Sequence, residues 1–379
     1  MTDPFDRRLR DCRRRLEAAG AEAVVCFPSS NLTYLTGFEE SPSERHLLLV
    51  LPTVGAPAFV APTMYAEQLA ETPVEDVRLW DDGDDPVALL EDVLSDRGIR
   101  DGSVLVDDRM WALFTQDLRR LLPDASFDLA SVVFEALRLR KDDVELEALR
   151  RAGEIADRVS LTLRARCEEL VGTTEAALAD DIGRLLGEHG GGAPSFSPIV
   201  ASGPNGARPH HHSGDRVIEA GDPVVLDFGA YVEADLESGT ARYPGDQTRT
   251  IVFAGEPPAE YREVHAIVCE AQQAAVDAVE PGVTAGSIDR AARSVIEAAG
   301  YGDAFVHRTG HGVGLEVHEP PYIVAGNDRE LEPGMVFSVE PGIYLEGRFG
   351  VRIEDLVVVT EDGAERLNDS PRGWRADDA

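Results

Sequence analysis

Five short stretches in the C-terminal half of this chain each read as a strand or strand edge that carries an ionisable residue. They are Val224-Val-Leu-Asp-Phe-Gly-Ala, Gly245-Asp-Gln-Thr-Arg-Thr-Ile-Val-Phe, Thr309-Gly-His-Gly-Val-Gly, Met335-Val-Phe-Ser-Val-Glu-Pro-Gly and Gly350-Val-Arg-Ile-Glu-Asp-Leu-Val-Val-Val. They set Asp227, Asp246, His311, Glu340 and Glu354 at strand edges. An uncompensated carboxylate at the end of a buried strand is costly, so the fold must bring a cation to each acid. Local solutions exist. Arg249 could neutralise Asp227 or Asp246, Arg352 shares a strand face with Glu354, and Glu340 could cap its Pro-Gly turn. For all five together, a shared cation is the simpler solution. Four carboxylates and one imidazole suit Mn²⁺, Fe²⁺, Co²⁺ or Zn²⁺ rather than a thiolate zinc site. Two such ions about 3.5–4 Å apart can polarise a carbonyl and acidify a bridging water, which is hydrolytic chemistry.

Histidines gather near these runs. His307, His311 and His318 put three of the nine histidines into 12 residues, among Gly310, Gly312 and Gly314. That is not the pattern of a packed core. A second group, His210, His211 and His212, follows Arg208-Pro209. One of these is expected to reach the site, and His210, directly after the proline, is the choice.

A chain of 379 residues suits two domains. Residues 1–137 read as an α/β unit, a mixed sheet covered by helices. A basic amphipathic helix spans 5–19, and strands are expected at 23–27, 46–51, 58–60, 77–80 and 103–106. The stretch 31–38 (NLTYLTGF) reads as a turn into a second element. Residues 138–379 form the second domain, opening on a long helix in which Leu149, Ala152, Ile155, Val159 and Leu163 keep one buried face. Within it the frame from Gly172 to Gly190 resembles that from Gly282 to Gly300. Each has a threonine two places on as a helix cap and a closing glycine, followed by a phenylalanine (Phe196, Phe305) and then histidines. Two similar halves would face each other across a cleft. From Ala364 onward the chain reads as a loose polar tail.

Other functions are disfavoured. No apolar run approaches the ~20 residues of a membrane helix, and the charged N-terminus lacks a signal peptide's apolar core, so a cytoplasmic location is expected. Cys12, Cys26, Cys167 and Cys269 lie far apart, without a C-x-x-C pair. Asp plus Glu number 70 against 36 basic residues, a formal net charge of −34. That excess argues against nucleic-acid binding. Only one of the 36 is lysine, Lys141. A surface so acidic repels itself unless salt screens it, which points to a salt-adapted host.

Taken together, SFSPIVASGPNGARPHH, VVLDFGA, GDQTRT, HRTGHGVGLEVHEPP, GMVFSVEPGIY and GVRIEDLVVVT closely resemble the pita-bread metallopeptidases. That is the family of methionine aminopeptidase, aminopeptidase P and Xaa-Pro dipeptidase (prolidase). The N-terminal half, through NLTYLTGF, resembles the creatinase-type domain of the prolidase and aminopeptidase P branch. The resemblance implies an α/β two-domain fold whose catalytic domain is pita-bread α+β. It implies two divalent ions, Mn²⁺ or Co²⁺ before Zn²⁺ or Fe²⁺, on Asp227, Asp246, His311, Glu340 and Glu354. Asp246 and Glu354 would bridge the ions, Asp227 would chelate one, and His311 and Glu340 would hold the other. Glu340 would also serve as general base. His210 and His318 match substrate-contacting histidines, and His307 and Arg352 match positions on the proline side of the substrate. The expected activity is Xaa-Pro hydrolysis of small peptides by a homodimer, as dipeptidase or aminopeptidase. Relatives of the same fold act on non-peptide amides or sulfonium compounds, or survive as inactivated binding proteins, usually with a broken ligand set; this chain keeps all five ligands. One departure stands out. Asp227 and Asp246 lie 19 apart, where the family's hairpin is shorter by roughly eight residues, an insertion that costs little in loop-closure entropy. The extra acidic segment, with Glu233, Asp235, Glu237 and Gly239, is expected near the mouth of the site or a dimer interface.

Overall fold

The computed structural model describes residues 4–236 and 239–375. They divide into two compact units: residues up to Arg138 together with Asp235–Ala241, and Leu139–Ala234 together with Arg242 onward.

The first unit is built on a six-stranded sheet of order β4-β3-β2-β1-β5-β6. The strands are β1 (Ala21–Cys26), β2 (Leu48–Pro52), β3 (Ala58–Pro62), β4 (Asp76–Trp80), β5 (Ser103–Val106) and β6 (Ser126–Leu129). β2 runs antiparallel to β1 and β3, while β1–β5, β3–β4 and β5–β6 are parallel. Its central strands are apolar on both faces and buried throughout β2 and β3, as a sheet covered by helices on both sides requires. The Pro86–Asp96 helix starts where Asp85 accepts from the N–H groups of Val87 and Ala88. The segment expected as a turn at 31–38 is instead a helix, Ser30–Thr36. The Ser29 side chain caps its start by accepting from Leu32 N, and Gly37 closes it in the left-handed region at φ 67°.

The second unit continues the numbering with β7 (Ile199–Ser202), β8 (Pro223–Phe228), β9 (Tyr231–Glu233), β10 (Arg242–Pro244) and β11 (Gln247–Val252). Then come β12 (Gly310–Gly312), β13 (Glu319–Ile323), β14 (Val336–Val339), β15 (Gly342–Leu345), β16 (Phe349–Arg352), β17 (Asp355–Thr360) and β18 (Gly363–Arg366). They form a three-stranded sheet β11-β8-β7, a five-stranded sheet β13-β12-β14-β17-β18, and the hairpins β9–β10 and β15–β16. One core lies between the first sheet and the Asp143–Ala165 and Glu175–Glu188 helices; a second packs the Tyr261–Asp277 and Ala285–Ala298 helices on the larger sheet. The repeated frames both fold as helices between left-handed glycines. Their caps differ. Thr174 accepts from Ala177 N, whereas Thr284 makes no side-chain cap bond and its carbonyl accepts from Ser287 Oγ.

One further expectation is corrected. The polar stretch after Ala364 is no loose tail: β18 pairs with β17, Leu367 and Asn368 are buried, and the Trp374 carbonyl accepts from Val252 N. Its backbone supplies the order that its side chains do not advertise. The acidic insertion falls partly in the first unit. Asp235–Ala241 belongs with the first unit, where Thr240 N donates to Gly37 O at 2.7 Å; Glu237 lies outside the described residues. No helix among the described residues is long and apolar enough to cross a membrane.

Candidate metal centre

Asp227 is the fifth residue of β8, opposite Thr248 of β11 and Ile199 of β7. Asp246 immediately precedes β11. Despite the long insertion the two strands stay in register, because Gly229 meets Gly245 so closely that a Cβ on Gly229 would overlap the Gly245 carbonyl. From the other sheet, β12 supplies His311, Glu340 follows β14, and Glu354 stands between β16 and β17. Strand β12 is only three residues long, yet it is anchored: His311 N donates to Ser338 Oγ, and Glu340 N donates to Thr309 O.

These side chains converge. Asp246, His311 and Glu354 each offer a ligand atom within 4.8 Å of the others, and all three are buried. His311 Nε2 lies 3.4 Å from Glu340 Oε1 and 3.7 Å from Asp246 Oδ2. Its Nδ1 donates to Gly312 O, which leaves Nε2 free of a proton and facing the acids. Burial holds the His311 imidazole neutral, its pKa pushed down to about 3, with His318 adding to the effect. Burial pushes Glu340 up to about 7, and pushes Asp246 and Glu354 well above the carboxylate range with help from the neighbouring acids. Acids crowded this way are ionised only beside a compensating cation. Asp227 Oδ2 accepts from Arg352 Nη2 at 2.6 Å, while its buried Oδ1 has no hydrogen-bond partner among the described residues. Oxygen donors, one neutral imidazole and an orphaned carboxylate oxygen fit divalent ions.

The local alternatives resolve by register. Arg249 pairs with Asp355 at 2.7 Å, behind the site, and so neutralises neither Asp227 nor Asp246. Arg352 pairs with Asp227 rather than Glu354. Glu354 instead accepts from Thr248 Oγ1 at 2.6 Å, and its own N–H donates to Thr248 O.

A cleft of about 1180 Å³ is lined by all nine residues named from the sequence: Asp227, Asp246, His311, Glu340, Glu354, His210, His307, His318 and Arg352. His318 packs edge-on to His311, ring centroids 4.0 Å apart. All three of His210, His211 and His212 line the cleft, but His211 Nε2 is taken up by Glu175 at 2.7 Å. His307 Nδ1 donates to Arg308 O, so its Nε2 accepts from Tyr344 OH at 2.9 Å; Tyr344 OH in turn accepts from Arg352 Nη1 at 2.9 Å. Burial pushes the His307 pKa down to about 4. Sequence reasoning passed over Tyr344 and Thr248. Thr248 was within reach, two residues from Asp246 on the same strand face; for Tyr344 there was no signal beyond its place in the Glu340 segment.

Similarity to known proteins agrees with this geometry. Residues 147–361 match Metallopeptidase family M24, and residues 8–140 match the Creatinase/Prolidase N-terminal domain. The chain is 43% identical over 373 residues to the probable dipeptidase PepE of Mycobacterium tuberculosis (strain ATCC 25618 / H37Rv), covering 97% of this chain and 95% of that protein. It is 36% identical over 361 residues to an Xaa-Pro dipeptidase of Lactobacillus delbrueckii subsp. lactis, covering 92% and 93%. Among solved structures, a recombinant prolidase from Thermococcus sibiricus superposes with a TM-score of 0.89 at 38% identity, covering 99% of each chain. Dipeptidase PepE from Mycobacterium ulcerans superposes at 0.88 with 42% identity, covering 98% of this chain and 97% of that one. With the acid-rich centre, the pita-bread catalytic unit and the creatinase-type N-terminal unit in place, the chain is a metallopeptidase and belongs to family M24.

Proposed function

We propose that this metallopeptidase hydrolyses the bond before proline in short peptides, using two divalent ions held by Asp227, Asp246, His311, Glu340 and Glu354. Asp246 and Glu354 would be shared between the ions, with Asp227 on one side and His311 and Glu340 on the other. When bound, such ions would supply Lewis-acid polarisation of the scissile carbonyl and acidify the attacking water. Glu340 would take a proton from the attacking water as general base, a role open to a carboxylate placed within hydrogen-bond reach of it. His318 and His210, at the rim of the cleft, steady the carbonyl oxygen as charge builds on it. His307, Tyr344 and Arg352 form one hydrogen-bonded row that ends on Asp227. This row flanks the proline side, where the substrate amide has no N–H to donate.

The observation that carries this reading is the convergence of four carboxylates and a neutral imidazole on one cleft, with the His307–Tyr344–Arg352 row joined to it. The dipeptidase and prolidase names of the similar proteins support the substrate class. The reading extends to Mn²⁺ or Co²⁺ as the metal, a cytoplasmic homodimer, and a salt-rich interior, the last supported by 70 acidic against 36 basic residues. The test is turnover of Xaa-Pro, Xaa-Pro-Xaa, Xaa-Ala and non-peptide amides with Mn²⁺ or Co²⁺ in high salt. Cleavage restricted to Xaa-Pro bonds, abolished by chelation and by Glu340→Ala, is expected. Activity that survives chelation, or a preference for non-peptide amides, would overturn it.

A further inference from the structure

Lys141 is the sole lysine beside 35 arginines. It is also among the most buried cations, its side chain 1% exposed. It lies just ahead of Asp142, the N-cap of the Asp143–Ala165 helix, and its backbone N–H donates to Gly334 O. Its Nζ donates to Glu319 Oε1 at 2.7 Å, with Leu139 O at 3.4 Å. The Glu319 side chain is 5% exposed, and its other oxygen accepts from Glu316 N. Buried charges of this kind hold together only as a pair.

The place of this pair gives it a consequence. Glu319 directly follows His318 and pairs with Gly312, the neighbour of His311, in the β12–β13 ladder. A Cβ on Gly314 would overlap the Glu319 carboxylate, and one on Gly312 would overlap the Pro320 carbonyl. Those two glycines therefore clear a seat for Glu319, which directly follows His318, whose ring stands against His311. A guanidinium is a planar fork with five donors, whereas an ammonium is a compact tetrahedral donor. Glu319 meets the cation through Oε1 while Oε2 accepts from Glu316 N, an arrangement that suits a single-point ammonium better than a two-pronged fork.

We propose that Lys141, acting through Glu319, is a positioning residue that sets His318 over the metal centre, and that this seat is the reason one lysine persists among arginines. The inference rests on the reading of His318 as a substrate-facing group. The test is a double-mutant cycle in the metal-loaded protein at high salt, pairing Lys141→Met with His318→Ala on an Xaa-Pro dipeptide. Each single variant is expected to lower kcat by about 10- to 100-fold with KM changed less than about threefold and metal content unchanged. The double variant should fall no more than about twofold below His318→Ala. Lys141→Arg should recover only a minor part of the lost rate. If Lys141→Met does not fold, Glu319→Gln, which keeps the shape and drops the charge, takes its place in the cycle. Effects that multiply, or loss of metal from the Lys141 or Glu319 variant, would overturn the positioning role alone. Full activity of His318→Ala would overturn it together with the role given to His318 above.

Discussion

The two repeated frames of the catalytic unit solve one problem with different chemistry. In each, a carboxylate on the framed helix reaches into the histidine-bearing loop that follows. In the first frame it is Glu175, fully buried in the helix's first turn, where the dipole favours an anion. Its partners are backbone, hydroxyl, amide and imidazole groups: Ser202 N and Oγ, Asn205 Nδ2 and His211 Nε2, at 2.7–3.1 Å. In the second it is Asp289, one turn further along. Asp289 accepts from Thr309 N and Oγ1 and is paired with Arg293, whose guanidinium also donates to the carbonyls of Phe305 and His307. The first anchor holds a loop that brings His210 to an exposed rim. The second holds the loop that delivers His311 into the buried centre. Both ties have a carboxylate as acceptor; the second adds a permanently charged guanidinium, and it sits where the smaller displacement matters.

This contrast can be broken in several ways. The largest effect is expected from Asp289→Ala, which removes the ion-pair partner of Arg293 and frees Thr309. Stability should drop by about 3 kcal/mol or more by urea unfolding, and metal affinity about 10- to 100-fold by elemental analysis after dialysis; unchanged metal retention would erase the distinction between the halves. Glu175→Gln should cost about 1–3 kcal/mol, lower kcat on an Xaa-Pro dipeptide, and leave metal content intact. Metal loss there would show that both loops serve the centre equally.

Acid sharpens the comparison further. Burial alone would raise the Glu175 carboxyl, but the hydrogen bonds from Ser202, Asn205 and His211 more than offset it and hold it below its ordinary value of 4.5. A carboxyl with a depressed folded-state pKa contributes stability above the ordinary value and loses it as pH falls through the folded one. The stability gap between wild type and Glu175→Gln should therefore narrow on acidification, as followed by urea unfolding at stepped pH; a gap that widens contradicts the network. The smallest effect concerns the caps. Thr174→Ala should cost about 1 kcal/mol and Thr284→Ala less than about half that, measured by thermal unfolding, because only Thr174 makes the cap bond.

Much of the candidate site was legible because its signals are local. A carboxylate closing an apolar run, as at Asp227 or Glu340, demands a partner wherever the strand goes, and a histidine framed by glycines, as at His311, has no core to fill. Strands β2 and β3 of the first unit were legible for the same reason, since they are apolar without interruption; β6, short and largely exposed, was not. The helix at Ser30–Thr36 was not, because one cap bond from Ser29 decided it. The order beyond Ala364 was missed because backbone pairing and one tryptophan impose it on polar residues.

The sequence by itself determined which residue types had to meet a cation, and that the frames beginning at Gly172 and Gly282 would be alike, since burial cost and helix capping act over a few residues. Only the tertiary structure decided which arginine meets which acid. Strand register turned Arg249 toward Asp355 and Arg352 toward Asp227, and no local rule sets the register of strands a hundred residues apart. The same holds for Glu175 taking His211 and leaving His210 to the cleft rim, and for Lys141 reaching Glu319 across 178 residues of sequence. Such pairs are chosen by packing, where a buried charge accepts only the partner that the neighbouring backbone brings within hydrogen-bond reach.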